Sequence, residues 1–346
     1  MEADARLVCV GMPVFNGERH LRKALDSLLS QDHKNLELVV TDNNSTDRTP
    51  AICEEYMARD RRVRYFRTAR NYGPIANFRN ALALCHASHF MWASHDDWWE
   101  EGFVSHLLGI LLANAEVALA ACEARYCLDN GIDLPAFPEG AFWHQRGLSL
   151  SRGRDRLLAV LEHSYGNLIY GMYRIDALKD QSGSTVMDVY KGTRTMNEIP
   201  VFLQVASRGK IYVSDRVLFH KRTNWRTYCQ AAAEYGIDVA PAQPSISLSS
   251  SGASYGALVR SPQKALRRTT LERIIRALTA DLEYHFQSLK DILRATLALE
   301  EPGLLKTELA ARTAGHLGCH MVRLQLIRLR LLGRSPGPPE DKGLAL

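Results

Sequence analysis

The sequence predicts an α/β fold with a mostly parallel sheet flanked by helices on both faces. Strand-length apolar runs alternate with helical patterns over residues 1–122, and polar clusters directly follow several of these runs. Alternation of this kind places parallel strands side by side, with crossover helices on both faces. Because 46% of the 346 residues are hydrophobic, wholesale disorder and collagen-like repeats are excluded.

Five apolar runs have the length of strands. They cover residues 7–12, 36–41, 63–66, 89–93 and 117–122. Apolar residues recur at helical spacing between them, which predicts a helix in each interval. Asn16 is predicted to cap the first helix, and Thr49 before Pro50 to cap the second. The third helix is predicted to open at Gly73, and the fourth lies between the last two runs.

Composition changes along the chain and predicts several regions. A Ser, Ala, Gly and Pro-rich stretch after the α/β part is typical of a flexible linker, and Leu, Ala and Arg-rich helical patterns follow it. We therefore expect a main domain at residues 1–239 (halves 1–122 and 123–239), a linker at 240–263, a C-terminal basic helical extension at 264–334 and a tail at 335–346.

The formal net charge of +5 is concentrated near the C-terminus. Residues 260–334 carry 14 Lys and Arg against seven Asp and Glu, whereas the rest of the chain is near neutral. This mild excess excludes histone-like saturation with charge, and no nucleic-acid partner is expected. The extension has two open interpretations: a solvated face of a packing or homodimerising helix, and docking on an anionic membrane surface.

The cysteines and the apolar stretches bear on location. Seven scattered cysteines, an odd number, favour buried free thiols over disulfides or a zinc site. The first residues lack the pattern of a signal peptide, and no apolar stretch reaches the length of a membrane span. These patterns predict a cytoplasmic protein, with peripheral contact to the inner face of the membrane as an alternative.

Polar clusters follow three predicted strands, beginning at Pro13, Asp42 and Ser94. Ligands bind beyond the carboxyl ends of strands in such sheets. Adjacent Asp96 and Asp97 can hold a hard divalent cation that also takes phosphate oxygens, or Asp97 can cap the following helix. Asp42 can accept a hydrogen bond from a base or ribose, or can serve as a turn residue.

Four blocks stand in a regular order: residues 10–31, 36–47, 71–81 and 94–97. Their residues, among them Pro-Val-Phe-Asn-Gly-Glu and Thr-Asp-Asn-Asn-Ser-Thr-Asp, resemble those of family 2 glycosyltransferases. The resemblance implies a GT-A fold, a nucleotide-sugar donor, a divalent metal (Mg²⁺ or Mn²⁺) and inversion at the sugar carbon. A UDP-sugar is the favoured donor, and the implied acceptor is a saccharide or a lipid-linked molecule.

The resemblance also assigns roles to single residues. Glu198 would be the catalytic base, with Asp188 as the alternative, and Arg222 would face the diphosphate. Asp96 would bind the metal, and Asp97 beside it is placed with both the metal and the catalytic residues. Ser94 stands where the family usually has a further acid. The other expected donor-site residues are Pro13, Asn16, Glu18, Asp42, Asn71, Gly73 and Arg79.

These features predict an inverting glycosyltransferase of bacterial surface polysaccharide or glycolipid assembly. Sugar-nucleotide synthesis would call for a Gly-rich basic loop after the first strand, where Pro-Val-Phe-Asn-Gly-Glu stands instead. A catalytically degenerate relative that binds a nucleotide sugar in a regulatory or scaffolding role is the other alternative.

Overall fold

The computed structural model describes residues 6–128, 133–134, 153–163, 166–180, 182–190, 198–223 and 292, which belong to one compact unit. The predicted linker, extension and tail lie outside the described residues, apart from Ile292. The domain boundaries and the two interpretations of the basic extension therefore stay predictions.

Strands and helices alternate along the described chain, as the sequence predicts. The strands are β1 (Val8–Val14), β2 (Leu36–Asp42), β3 (Val63–Arg67), β4 (His89–Trp92), β5 (Trp98–Trp99), β6 (Val117–Cys127), β7 (Met172–Arg174) and β8 (Lys210–Arg222). The α-helices are α1 (Leu21–Leu29), α2 (Thr49–Arg59), α3 (Pro74–Ala83), α4 (Phe103–Ala113), α5 (Gly153–His163), α6 (Ile175–Leu178) and α7 (Ile199–Arg208). Two 3-10 helices lie at Gly166–Tyr170 and Val186–Tyr190.

The described strands join one sheet in the order β3-β2-β1-β4-β7-β6-β8-β5. β1 pairs in parallel with β2 and β4, β2 with β3, and β6 with β8. The short β7 runs opposite to both of its neighbours, and β5 runs opposite to β8. The predicted α/β class is confirmed, and the sheet is a mixed one because β7 separates two parallel groups.

Helices cover both faces of the sheet, as the alternating residues of β1 show. Val8 and Met12 are fully buried in one core with residues of α1, α2 and α4. Gly11 points to the opposite face, where an added Cβ would lie 2.8 Å from the Phe90 ring and 3.0 Å from Ala81 of α3. Successive residues of a strand point to opposite faces, so β1 contributes to both cores.

Two predicted helix caps are wrong, and both side chains instead join the loops after β1 and β2. Thr49 is the first residue of α2, and its Oγ1 accepts a hydrogen bond from the Gly17 amide at 2.8 Å. α1 begins only at Leu21, whereas Asn16 has a φ of 52°, a left-handed conformation that Asn tolerates. Its Oδ1 accepts a hydrogen bond from the Thr46 amide at 2.8 Å.

The described residues also bear on the thiols and on membrane crossing. Five cysteines are buried free thiols, as predicted: Cys9, Cys53, Cys85, Cys122 and Cys127. Within the same ranges, no helix combines the length and apolarity that crossing a bilayer demands.

Gly171 allows β7 to approach β6 closely. An added Cβ would lie 2.7 Å from the Ala120 carbonyl oxygen and 2.7 Å from Leu119 Cδ1. We expect Gly171→Ala to lower the free energy of unfolding by about 1–3 kcal/mol in urea denaturation, since the backbone oxygen cannot move without disturbing the sheet.

The matched control is Gly109→Ala on an exposed turn of α4, where an added Cβ meets nothing within 4 Å. Alanine is the better helix former, so this variant should gain roughly 0.5–1 kcal/mol. Equal stability of the two variants would contradict the close packing at Gly171.

Candidate active site

A cleft of about 230 Å³ opens at the carboxyl ends of β1 and β4. It is lined by Pro13, Val14, Phe15, Asn43, Asn71, Pro74, Asn77, Phe78, Ser94, His95 and Tyr170. Of the predicted site residues, Pro13 and Asn71 therefore line the cleft directly, and Gly73 adjoins it. The predicted residues that do not line it are Asn16, Glu18, Asp42, Arg79, Asp96, Asp97, Glu198 and Arg222.

Asn43, which is missing from the predicted set, holds the loop before α3. Its Nδ2 donates to Asn71 Oδ1 at 2.8 Å and to the Gly73 carbonyl at 3.1 Å, and its Oδ1 accepts from the Tyr72 amide at 2.9 Å. Gly73 has a φ of 86°, a conformation that favours glycine. One buried amide thus places Asn71 and Gly73, and its sequence signal was its position directly after Asp42.

Asp42 is fully buried, and both of its carboxylate oxygens have partners. Oδ1 accepts from the Ser45 amide at 2.8 Å and from the Ser45 hydroxyl at 2.5 Å. Oδ2 accepts from the Tyr65 hydroxyl at 2.8 Å and lies 3.5 Å from Arg67 Nε. This geometry gives Asp42 a part in ordering the loop after β2, and its contact with a base stays a prediction.

The loops after β1 and β2 are joined by reciprocal hydrogen bonds. Glu18 Oε2 accepts from the Arg48 amide at 2.9 Å, while the Glu18 amide donates to Asp47 Oδ2 at 3.0 Å. Asn16 adds its bond to Thr46. Asn16 and Glu18 therefore shape the edge of the cleft by holding the two loops together.

His95 is enclosed beneath the first of these loops. An added Cβ on Gly17 would lie 2.7 Å from the His95 ring, so the loop needs glycine here. Burial lowers the pKa of His95, and the opposing charge of Asp96 does not reverse that shift. A neutral imidazole therefore stands on the cleft wall at neutral pH.

Asp97 anchors the turn after β4 to the end of β8. Only 1% of its surface is exposed. Its Oδ2 accepts from Lys221 Nζ at 2.9 Å and its Oδ1 from the Arg222 amide at 2.8 Å. Burial raises the pKa of Asp97 to about 6, although Lys221 opposes the shift. The alternative role as a helix cap is wrong, because Gly102 occupies that position of α4.

Two cationic side chains contact the Trp98 ring, next to Asp97. Lys23 Nζ lies 3.2 Å from the Trp98 ring centroid, and the Arg222 guanidinium carbon lies 5.2 Å from it. His220 stacks on the same ring system with centroids 4.9 Å apart. Arg222 Nε also donates to the Asp96 carbonyl at 2.8 Å, which places its guanidinium beside the acidic motif.

Lys221 lies between Asp97 and the cleft. Its Nζ lies 4.9 Å from the ring centroid of Tyr170, which lines the cleft. Burial alone would lower the pKa of Lys221, but Tyr170, Asp97 and Asp96 together raise it above its ordinary value. The ammonium group therefore stays charged, and we call Lys23, Lys221 and Arg222 the cationic cluster.

The side chains near Asp96 and Asp97 do not fit the divalent cation that the resemblance implies. Both oxygens of Asp97 accept from Lys221 and Arg222. Ser94 donates its hydroxyl proton to Asp96 Oδ1 and supplies no carboxylate. In the described ranges, no group of three or more His, Cys, Asp or Glu could hold a metal ion. One incompletely used carboxylate next to several cations is a poor ligand set for Mg²⁺ or Mn²⁺.

Glu198 stands just before α7, in the electrostatic neighbourhood of the cationic cluster. Burial raises the pKa of Glu198, and the charge of Lys221 opposes the shift. The charge of Glu198 in turn contributes to the raised pKa of Tyr170. Asp188 Oδ2 accepts from the Thr185 amide at 2.9 Å within its own turn. These electrostatic interactions relate Glu198 to Tyr170 of the cleft, whereas Asp188 accepts its hydrogen bond within its own turn.

Removal of the Lys221 ammonium should destabilise the fold, because Asp97 would stay buried without a counter-charge on Oδ2. We expect Lys221→Met to lower the free energy of unfolding by about 3–5 kcal/mol at neutral pH, and the double variant with Asp97→Asn to recover much of that loss. Urea denaturation measures both.

Lys210→Met is the matched control, since Lys210 lies on the same strand, is equally exposed at 20% and pairs with Glu116 at 2.7 Å. Its partner is at the surface, so about 0–1 kcal/mol is expected. A Lys221→Met variant as stable as this control would show that the ion pair is not needed for folding.

The following sequence matches each cover less than half of this chain. Glycosyl transferase family 2 matches residues 9–166. Glycosyltransferase GlyA of Streptococcus pneumoniae is 36% identical over 100 residues, which are 29% of this chain and 14% of that protein. The GalNAc(5)-diNAcBac-PP-undecaprenol beta-1,3-glucosyltransferase of Campylobacter jejuni is 34% identical over 99 residues, 28% of this chain and 32% of that protein. The chain thus spans a third or less of the length of these two relatives.

The fold is shared with a solved structure at low sequence identity. TarS 1-349 of S. aureus, in complex with UDP-GlcNAc, matches with a TM-score of 0.55 and 15% identity, over 89% of this chain and 71% of that chain. The mixed sheet with helices on both faces is the GT-A fold. Over residues 9–166, slightly under half of its length, the chain matches the family 2 glycosyltransferases.

Proposed function

We propose that the chain transfers a sugar from a nucleoside-diphosphate sugar to an acceptor hydroxyl, with inversion at the anomeric carbon. The observation that carries this proposal is the position of the cleft, which lies at the carboxyl edge of the sheet beside the cationic cluster. Fixed positive charges there would stabilise a departing diphosphate. The complex of TarS with UDP-GlcNAc supports a UDP-sugar as the donor.

The walls of the cleft suit a nucleoside. Phe15 lines the cleft and is 42% exposed, so its ring is available to a base. Asn77 is buried on the same wall, where its Nδ2 donates to the Val14 carbonyl at 3.1 Å. Its Oδ1 has no hydrogen-bond partner, and a buried acceptor in that state favours a ligand that donates to it.

In the proposed reaction, Glu198 takes the proton of the acceptor hydroxyl. The acceptor oxygen attacks the anomeric carbon from the face opposite the diphosphate, and Arg222 stabilises the departing group. The electrostatic interactions of Glu198 with Lys221 and with Tyr170 of the cleft support Glu198 over Asp188 as the base. Asp97 contributes by holding Lys221 and the end of β8 in place.

Glu198→Gln should lower the turnover of a competent donor and acceptor pair by about 10²–10⁴-fold, because the amide cannot take the proton. The dissociation constant of UDP-GlcNAc, measured by calorimetry, should stay unchanged. Asp188→Asn is the matched control and should retain its turnover. Near-normal turnover in Glu198→Gln, or the same loss in Asp188→Asn, would overturn the assignment.

The pH profile provides a separate check on Glu198. The base acts only when it is deprotonated, so kcat/KM should rise with pH through the pKa of Glu198. Burial raises that pKa above the ordinary value of 4.5, and we expect the acidic limb of the profile to lie above that value. A limb at or below the ordinary glutamate pKa would contradict a buried base.

The acceptor and the pathway are also proposals. The name of the Campylobacter jejuni relative refers to an undecaprenol-linked acceptor, which supports a saccharide or lipid-linked acceptor in surface polysaccharide or glycolipid assembly. Membrane contact and homodimerisation depend on the basic extension, outside the described residues. Ser94, in place of an acid, favours the degenerate relative as a second candidate. Binding of UDP-GlcNAc without release of UDP under any acceptor would support that candidate.

A further inference from the structure

The two carboxylates of the 94–97 turn already have two cationic side chains beside them. Lys221 Nζ is 2.9 Å from Asp97 Oδ2. The charge of the ammonium group also favours the ionised form of Asp96. Arg222 donates from its guanidinium to the carbonyls of Asp96 at 2.8 Å and Leu128 at 3.4 Å, which holds the guanidinium beside the turn. A divalent ion entering here would meet two fixed cations at short range.

Lys221 is also placed to meet a ligand in the cleft. Its side chain is 20% exposed, whereas the Asp97 side chain is fully buried. Lys221 Nζ lies 4.9 Å from the ring centroid of Tyr170, which lines the cleft together with Ser94. An ammonium held on a buried carboxylate loses little freedom when it meets an anion.

We propose that Lys221, held by Asp97, supplies the positive charge that faces the leaving diphosphate, and that transfer by this chain proceeds without a divalent cation. The inference rests on the proposed glycosyltransferase function and specifies how the same site handles its leaving group. Arg222, which is stacked on Trp98, is the second charge on that group.

The chemical step balances without a metal. The bond between the anomeric carbon and the diphosphate oxygen breaks, and its electron pair leaves with the nucleoside diphosphate. The acceptor oxygen forms the new bond to that carbon, and its proton passes to Glu198. Lys221 keeps its proton and acts through its charge and hydrogen bonds.

The first experiment compares EDTA with added Mg²⁺ or Mn²⁺ on the full chain. Release of UDP from UDP-GlcNAc and the calorimetric affinity for UDP should both be the same in EDTA as with either metal. Loss of UDP binding or turnover in EDTA, with recovery on addition of metal, would overturn the inference.

The second experiment removes the charge in a variant that keeps the fold. Because Lys221→Met alone leaves Asp97 buried without a counter-charge, the test uses the double variant Lys221→Met with Asp97→Asn, checked for native circular dichroism. Turnover in EDTA should fall by about 10²–10³-fold, the usual effect of removing one preorganised charge at a developing anion. Lys221→Arg should retain part of the activity, and Lys210→Met should behave as the unmodified chain. Unchanged turnover in the double variant would overturn the inference.

UDP calorimetry separates failure of this inference from failure of the proposed function. If the unmodified chain releases no UDP under any condition, with or without metal, the transferase proposal fails. The contact of Lys221 with the diphosphate is then still tested by the affinity for UDP. Weaker UDP binding in EDTA on removal of Lys221 supports its contact with the diphosphate, and UDP binding that requires Mn²⁺ excludes it.

Discussion

Asp97 accepts hydrogen bonds from the Lys221 ammonium and the Arg222 amide while almost none of its surface is exposed. A buried carboxylate without such partners costs several kcal/mol, so the 94–97 turn and the end of β8 must form together. β5 follows the turn and pairs with β8 through Trp98 and His220. The cationic cluster, the wall of the cleft next to Tyr170 and the end of the sheet all depend on this contact.

The donor side of the cleft is ordered by a second set of buried polar groups. Asn43 holds the loop before α3, and Asp42 binds Ser45 and Tyr65. The loops after β1 and β2 are cross-linked through Glu18 and Asp47. Side chains that hydrogen-bond to one another in this way are fixed before the ligand binds. A rigid site loses less conformational entropy on binding its ligand than a mobile one. Several residues that shape the site, among them Asp42, Glu18 and Asp47, do not line it.

Local sequence patterns predicted those elements whose structure depends on neighbouring residues. Helical spacing predicts a buried helix face made of Leu21, Ala24, Leu25, Leu28 and Leu29. The first four are buried in α1, and Leu29 is half-buried near its end. Helix caps were predicted less well. Thr49 has the right residue type before a proline, yet its hydroxyl accepts a hydrogen bond from Gly17 in another loop. This partner lies 32 residues away in the sequence and competes with the local cap. No residue near Thr49 indicates that the contact exists.

The sequence by itself determined the α/β class, the carboxyl-edge position of the motifs and the resemblance to family 2 glycosyltransferases. These follow from periodicity and from residues at regular spacing. Only the tertiary structure decided that β7 reverses within the sheet, that Asn43 holds the cleft loop and that Asp97 pairs with Lys221, 124 residues away. Adjacent Asp96 and Asp97 look equivalent in the sequence. In the fold they differ, because Asp97 is buried against the end of β8. A charged side chain interacts with any group that the fold brings within a few ångströms, however far apart the two are in the sequence.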